Sequence, residues 1–132
     1  MKKIILILLV LCCFSSISLF AQENVSKNTQ DSIERYQLFS TQNMWTFLKL
    51  DTMTGKIWQV QYSVKEADYR FETVLSSVDI SGMLEQEPRI GRYTLYPTQN
   101  IYSFIMLDQI DGYTFQVQWS AEEENRFVIP IY

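Results

Sequence analysis

Four glutamines stand out among the residues able to do chemistry. Gln59 and Gln61 flank Val60, and Gln116 and Gln118 flank Val117 in an identical tripeptide. A primary amide both donates and accepts hydrogen bonds, so such rows can read the hydroxyls of a glycan or the backbone of a peptide. Trp45, Tyr102 and Tyr96 would be the stacking platforms beside them. A structural reading competes: the amides bridge neighbouring strands or the two halves of the chain, since each would cost about 1–3 kcal/mol if buried unpaired. Descent from one ancestor without divergence is a third reading. Asp51 and Asp108 form a symmetric pair of acids. Both stand at the start of a turn, where a carboxylate caps loop amides, so capping is expected of them rather than catalysis. The run Glu122-Glu123-Glu124 is expected in a solvated loop, with a calcium site as the weaker alternative.

Other chemistries are missing. The chain has no histidine, and its two cysteines, Cys12 and Cys13, lie in an N-terminal apolar run. Lys2 and Lys3 precede that run, residues 4–14, and Ser15, Ser16 and Ser18 lead to Phe20-Ala21. This is the pattern of an export signal, short for a bilayer span. Cleavage after Ala21 is expected. Lipidation at a cysteine is the rival, although Leu11 stands where a lipobox takes a small residue, and an uncleaved anchor is the third option. The mature chain is then expected in the periplasm or secreted, with no stable membrane insertion. It would have no disulfide, no Cys/His zinc site and no Ser-His-Asp or Cys-His nucleophile. No cofactor or metal is expected. Losing two lysines leaves nine basic residues (11 less 2) against 15 acidic ones, a net charge of −6. That acidity argues against nucleic acid as a partner.

The elements that position these residues come from a duplication. Residues 35–63 and 92–120 align at a constant offset of 57, with 14 of 29 positions identical. The match resumes one residue short, with Arg70-Phe71 answering Arg126-Phe127. Such self-similarity defines the architecture before any local feature does. Apolar patterning predicts strands over 35–39, 43–50, 57–63 and 69–75, repeated over 92–96, 100–107, 114–120 and 126–131. The identical Thr41-Gln42-Asn43 and Thr98-Gln99-Asn100 mark turns in which Asn bonds its own backbone. Asp51 to Gly55 and Asp108 to Gly112 predict a tight turn closed by a left-handed glycine. In the third strand of each repeat, alternation puts Trp58, Val60 and Tyr62, or Phe115, Val117 and Trp119, on one side. That aromatic-Val-aromatic face is expected to be core in both halves, with the glutamines opposite. The second strands are apolar on both faces, which predicts central positions covered on both sides. Pro130 predicts a sheet edge, or its end, for the last strand.

The doubled pattern RYxLxxTQNxxxFxxLDxxxGxxxQVQxS resembles the repeats of a group of small exported bacterial proteins of unknown function, which run close to PTxNxxxFLxLDTxxGxxWQVQ. The resemblance covers residues 35–71 and 92–127 and implies no activity. A weaker likeness links Asp51-Thr-Met-Thr-Gly55-Lys56-Ile57-Trp58 to the D-x-x-T-G-K-x-x-W blade motif of quinoprotein-type β-propellers. Trp58 comes one residue early and Phe115 replaces it in the second copy, so this likeness implies a β-meander and no quinone.

The expected organisation is a signal over 1–21, a flexible leader over 22–34 and one β domain over 35–132. That domain comprises repeats 35–75 and 92–132 joined by a connector, 76–91, with a turn of helix near 83–86. The expected fold is all-β: two tandem antiparallel meanders about a pseudo-two-fold axis, as a sandwich or small barrel. The expected function is a non-enzymatic exported binding module for a protein or glycan, through Gln59, Gln61, Gln116, Gln118, Trp45 and Tyr102. A self-pairing envelope component, with a homodimer plausible, is the alternative. A carboxylate-based glycan hydrolase is the third, and it needs two acids in one cleft, about 5–9.5 Å apart.

Overall fold

A computed structural model of the chain describes residues 34–65 and 67–132; the expected export signal and the leader before Glu34 lie outside them. Eight strands form two four-stranded antiparallel sheets, each in sequence order. The first sheet holds β1 (Tyr36–Ser40), β2 (Thr46–Asp51), β3 (Ile57–Gln61) and β4 (Phe71–Ser76). The second holds β5 (Tyr93–Pro97), β6 (Ser103–Asp108), β7 (Thr114–Gln118) and β8 (Phe127–Ile131). Over the described residues the fold is therefore all-β, two similar open meanders and no closed barrel. Pro130 lies on the edge strand β8, where its missing N–H breaks no ladder on the outer side. The second strand of each meander lies inside its sheet, as the doubly apolar pattern requires.

Local chemistry fixes the hairpins. The Gly55 N–H bonds the Asp51 carbonyl and the Asp51 N–H bonds the Lys56 carbonyl, both at 2.9 Å. Gly55 takes φ 78° and Gly112 φ 79°, left-handed values that cost a side-chain-bearing residue about 1–2 kcal/mol. The Asp51 carboxylate accepts from the Met53 N–H and that of Asp108 from the Ile110 N–H, each at 3.0 Å. At the opposite end of the sheets, Asn43 Oδ1 accepts from the Trp45 N–H and Asn100 Oδ1 from the Tyr102 N–H, each at 2.9 Å. These turns set a common register in both sheets, apart from a bulge at Ile57/Trp58 in the first. Leu38, Lys49, Trp58 and Val74 form a cross-strand row in the first, matched by Leu95, Met106, Phe115 and Pro130 in the second.

The connector carries α1 (Ile80–Met83), three residues earlier than expected. Asp79 decides the position, because its carboxylate accepts from the Gly82 N–H at 2.9 Å and caps the helix there. Buried Ile80 lies on the first turn: a Cβ on Gly55 would come within 3.2 Å of Ile80 Cβ. Gly112, its copy, has nothing within 4 Å of that position.

The two sheets share one core but contribute opposite faces to it. The first sheet buries Leu48, Leu50, Ile57 and Gln59. Their copies Ile105, Leu107, Thr114 and Gln116 are only half-buried, on the outer face of the second sheet. The second sheet buries Tyr93, Leu95, Phe104, Met106, Phe115, Val117 and Trp119. Their copies in the first sheet point outward. This corrects two expectations. The aromatic-Val-aromatic row is core in the second repeat alone, because the face of the first sheet turned to the core is the one carrying Gln59. A pseudo-two-fold axis would bury equivalent faces, whereas burial of opposite faces is a head-to-tail stack. Like ends lie together accordingly. Ser40, Thr41 and Gln42 share a cleft of about 350 Å³ with Pro97 to Ile101. At the other end the Tyr93 N–H bonds the Thr52 carbonyl at 2.9 Å.

Candidate functional site

The four glutamines do not converge. Gln59 is 1% exposed, inside the sandwich, and its Oε1 has no hydrogen-bond partner among the described residues. Gln116 lies on the outer face of the second sheet, in the row of Tyr96, Ile105 and Ile129. Gln61 and Gln118, near the strand ends, line two equivalent clefts. Gln61 sits with Trp45, Tyr62, Lys65 and Tyr69 around about 270 Å³. Gln118 sits with Asn43, Tyr102 and Trp119 around about 430 Å³. The second cleft is braced internally: Gln118 Nε2 donates to the Asn125 carbonyl and Trp119 Nε1 to the Ile101 carbonyl, each at 3.0 Å. A single groove holding both glutamine rows is thus ruled out, since alternation and head-to-tail stacking send Gln59 and Gln116 to different environments. Trp45 pairs with Gln61, and Tyr102 with Gln118, in separate sites. Tyr96 lines neither cleft.

The symmetric acids are committed to structure. Arg35 Nη2 lies 3.0 Å from Asp51 Oδ2, and Arg92 Nη2 lies 2.8 Å from Asp108 Oδ2. Burial opposes ionisation of Asp108, but Arg92 and the amides of Ile110 and Asp111 outweigh it and hold the carboxyl below its ordinary value. Asp51 is lowered in the same way, its burial outweighed by Arg35 and the Met53 amide. A wider network surrounds the second pair. Arg92 also binds Asp111, Gln86 Nε2 donates to Asp108 at 3.1 Å and to Asp111 at 2.6 Å, and the Tyr93 hydroxyl donates to Gln86 Oε1 at 3.0 Å. Ser81 donates to the Met53 carbonyl at 3.1 Å, which ties α1 to the first turn. These bonds fasten the connector across both turns. Arg35 and Arg92 head the repeated motif; their spacing from Asp51 and Asp108 is the same 16 residues, a sequence signal of the pair.

Each sheet leaves one face open, and that of the first is the more aromatic. Tyr36 is 49% exposed, Leu38 63% and Tyr62 40%, against 1%, 3% and 4% for their copies Tyr93, Leu95 and Trp119. Phe47, Trp58 and Val60 are half-buried on the same side, and Val74 is exposed. The aromatic rings on this face fall in two groups. Trp45 lies 5.4 Å and Phe47 6.1 Å from Tyr62, and Tyr36 meets Trp58 edge-on at 6.4 Å. Two charges sit within it. Lys49 pairs with Glu72, and its Nζ lies 4.7 Å over the Trp58 ring. The second sheet has Met106 and Val128 at those places. That pair of exchanges, Lys for Met and Glu for Val, was the signal in the sequence for which face of the first sheet is wet.

Comparison of the chain with protein-family models, with curated proteins and with solved structures gives no match.

Proposed function

We propose that the chain is an exported, non-enzymatic interaction module whose working surface is the outer face of the first sheet. One observation carries the reading. Seven positions that form the core in the second sheet are presented outward in the first, six of them still apolar and four aromatic: Tyr36, Leu38, Phe47, Lys49, Trp58, Val60 and Tyr62. A contiguous apolar sheet face rimmed by polar groups is the signature of a protein-binding surface. Flat pleated geometry suits a macromolecule better than a small ligand, which prefers a concave pocket. The cleft of Trp45 and Gln61 opens at the rim of this face and gives a partner one polar anchor beside two rings. The acids that a hydrolase would need are held by Arg35 and Arg92 instead.

A photo-reactive residue in place of Val60 tests the reading in the producing cell. Protein adducts are expected from position 60 and not from position 87, which is exposed in the connector. Equal labelling at both, or none at 60, overturns it.

A further inference from the structure

The partner of that face follows from the way the two repeats already meet. Inside the molecule, the Leu48/Leu50/Ile57/Gln59 face of the first sheet receives the Leu95/Met106/Phe115/Val117 face of the second. The contact is head-to-tail, so each sheet keeps one unused face. Those unused faces are copies of the two used ones. The second sheet presents Ile105, Leu107, Thr114 and Gln116, the counterparts of the first sheet's buried set. The first sheet presents Leu38, Lys49, Trp58 and Val60, the counterparts of the second sheet's buried set. Strand register is identical across the first three strands of the two sheets, so their pleats and side-chain rows have the same spacing, and the sheets differ only at the Ile57/Trp58 bulge between β3 and β4. Building on the interaction surface proposed above, we propose that a second copy of this chain docks there head to tail, the outer face of its second sheet covering the outer face of the first.

The charges fit this arrangement. The internal interface leaves Gln59 Oε1 unpaired against an apolar face. The external one would bring the copy, Gln116, to a face that carries Lys49 and Glu72. An ammonium donor and a carboxylate acceptor can satisfy both ends of an amide. Replacing Met106 and Val128 by this ion pair keeps a lone molecule soluble and gives the contact polar specificity. A heterologous contact of this kind is open at both ends, so it generates rings or chains of copies rather than a closed two-fold dimer.

Sedimentation velocity of the full chain over rising concentration, up to about 1 mM, tests this with two surface variants. The native chain is expected to associate beyond a dimer. Val60→Lys spoils one face and Ile105→Lys the other, so each alone should remain monomeric while keeping native circular dichroism. Mixed in equal amounts they should form a 1:1 dimer and stop there, because one sound junction remains. If Ile105→Lys dimerises alone, the pairing is face-to-same-face and the proposal is wrong. It is equally overturned if the native chain stays monomeric throughout. In that case adducts from position 60 with a different protein would leave the interaction surface standing, and absence of adducts would remove both.

Discussion

The two repeats hold nearly the same residues in the same register and use them in opposite ways. Val117 is core and Val60 is half-exposed; Gln59 is core and Gln116 is surface. Arg92 is buried and Arg35 half-exposed, although each binds the aspartate 16 residues on. Gly55 lies under Ile80, while Gly112 stands open. A β-strand carries two independent faces, and stacking two like sheets head to tail uses one face from each. Identity of sequence therefore does not imply identity of role. In this chain it places the same side chain once in the dry interior and once where a partner can reach it.

The comparison breaks most sharply at the central valines. Val117→Asp puts an unpaired carboxylate in the core and should cost about 4 kcal/mol or more, whereas Val60→Asp should cost about 1 kcal/mol. Urea unfolding of dilute protein measures both, and equal losses would contradict the opposite-face packing.

The ion pairs come next. Asp108→Ala leaves a buried guanidinium with Asp111 as its one carboxylate partner beside the Glu87 carbonyl, and should cost about 3 kcal/mol. Asp51→Ala should cost clearly less, because Arg35 can turn to water. Both carboxyls are held below the ordinary 3.8, so their contribution is complete above that value and is lost as pH falls through the lower folded one. The native chain should thus lose stability below about pH 4, and Asp108→Asn should flatten that acid limb more than Asp51→Asn. An acid limb unaffected by either variant would contradict the pairing.

The smallest effect has the less common sign. Gln59→Leu removes a buried carbonyl without a partner and should raise stability by about 1–2 kcal/mol. Gln116→Leu should change it by less than about 0.5 kcal/mol. A loss on Gln59→Leu would mean that the amide is fully bonded in solution.

Much of the fold was legible because its determinants are local. Period-two patterning located all eight strands, with every boundary within three residues. Asp51-to-Gly55 and Thr41-Gln42-Asn43 named their turns, because a left-handed glycine and an Asx bond are properties of a few consecutive residues. The helix starts three residues before its expected place because Asp79 caps it there. The candidate site was less legible. The glutamine rows drew attention by being retained, but retention in two copies does not report burial. Lys49 and Glu72 against Met106 and Val128 did report it, at two positions in one register.

The sequence by itself determined the strands, their order within each meander, the turns and the common register of the two meanders. All of these rest on contacts between residues close along the chain. Lys49 and Glu72 mark the wet face of the first sheet, but only the tertiary structure decided that the two sheets turn opposite faces to one core. Both faces of β2 and β6 are apolar enough to be core, so the choice rests on how one whole sheet lies on the other. That head-to-tail stacking buries Gln59, exposes its copy Gln116, and leaves the aromatic face of the first sheet open.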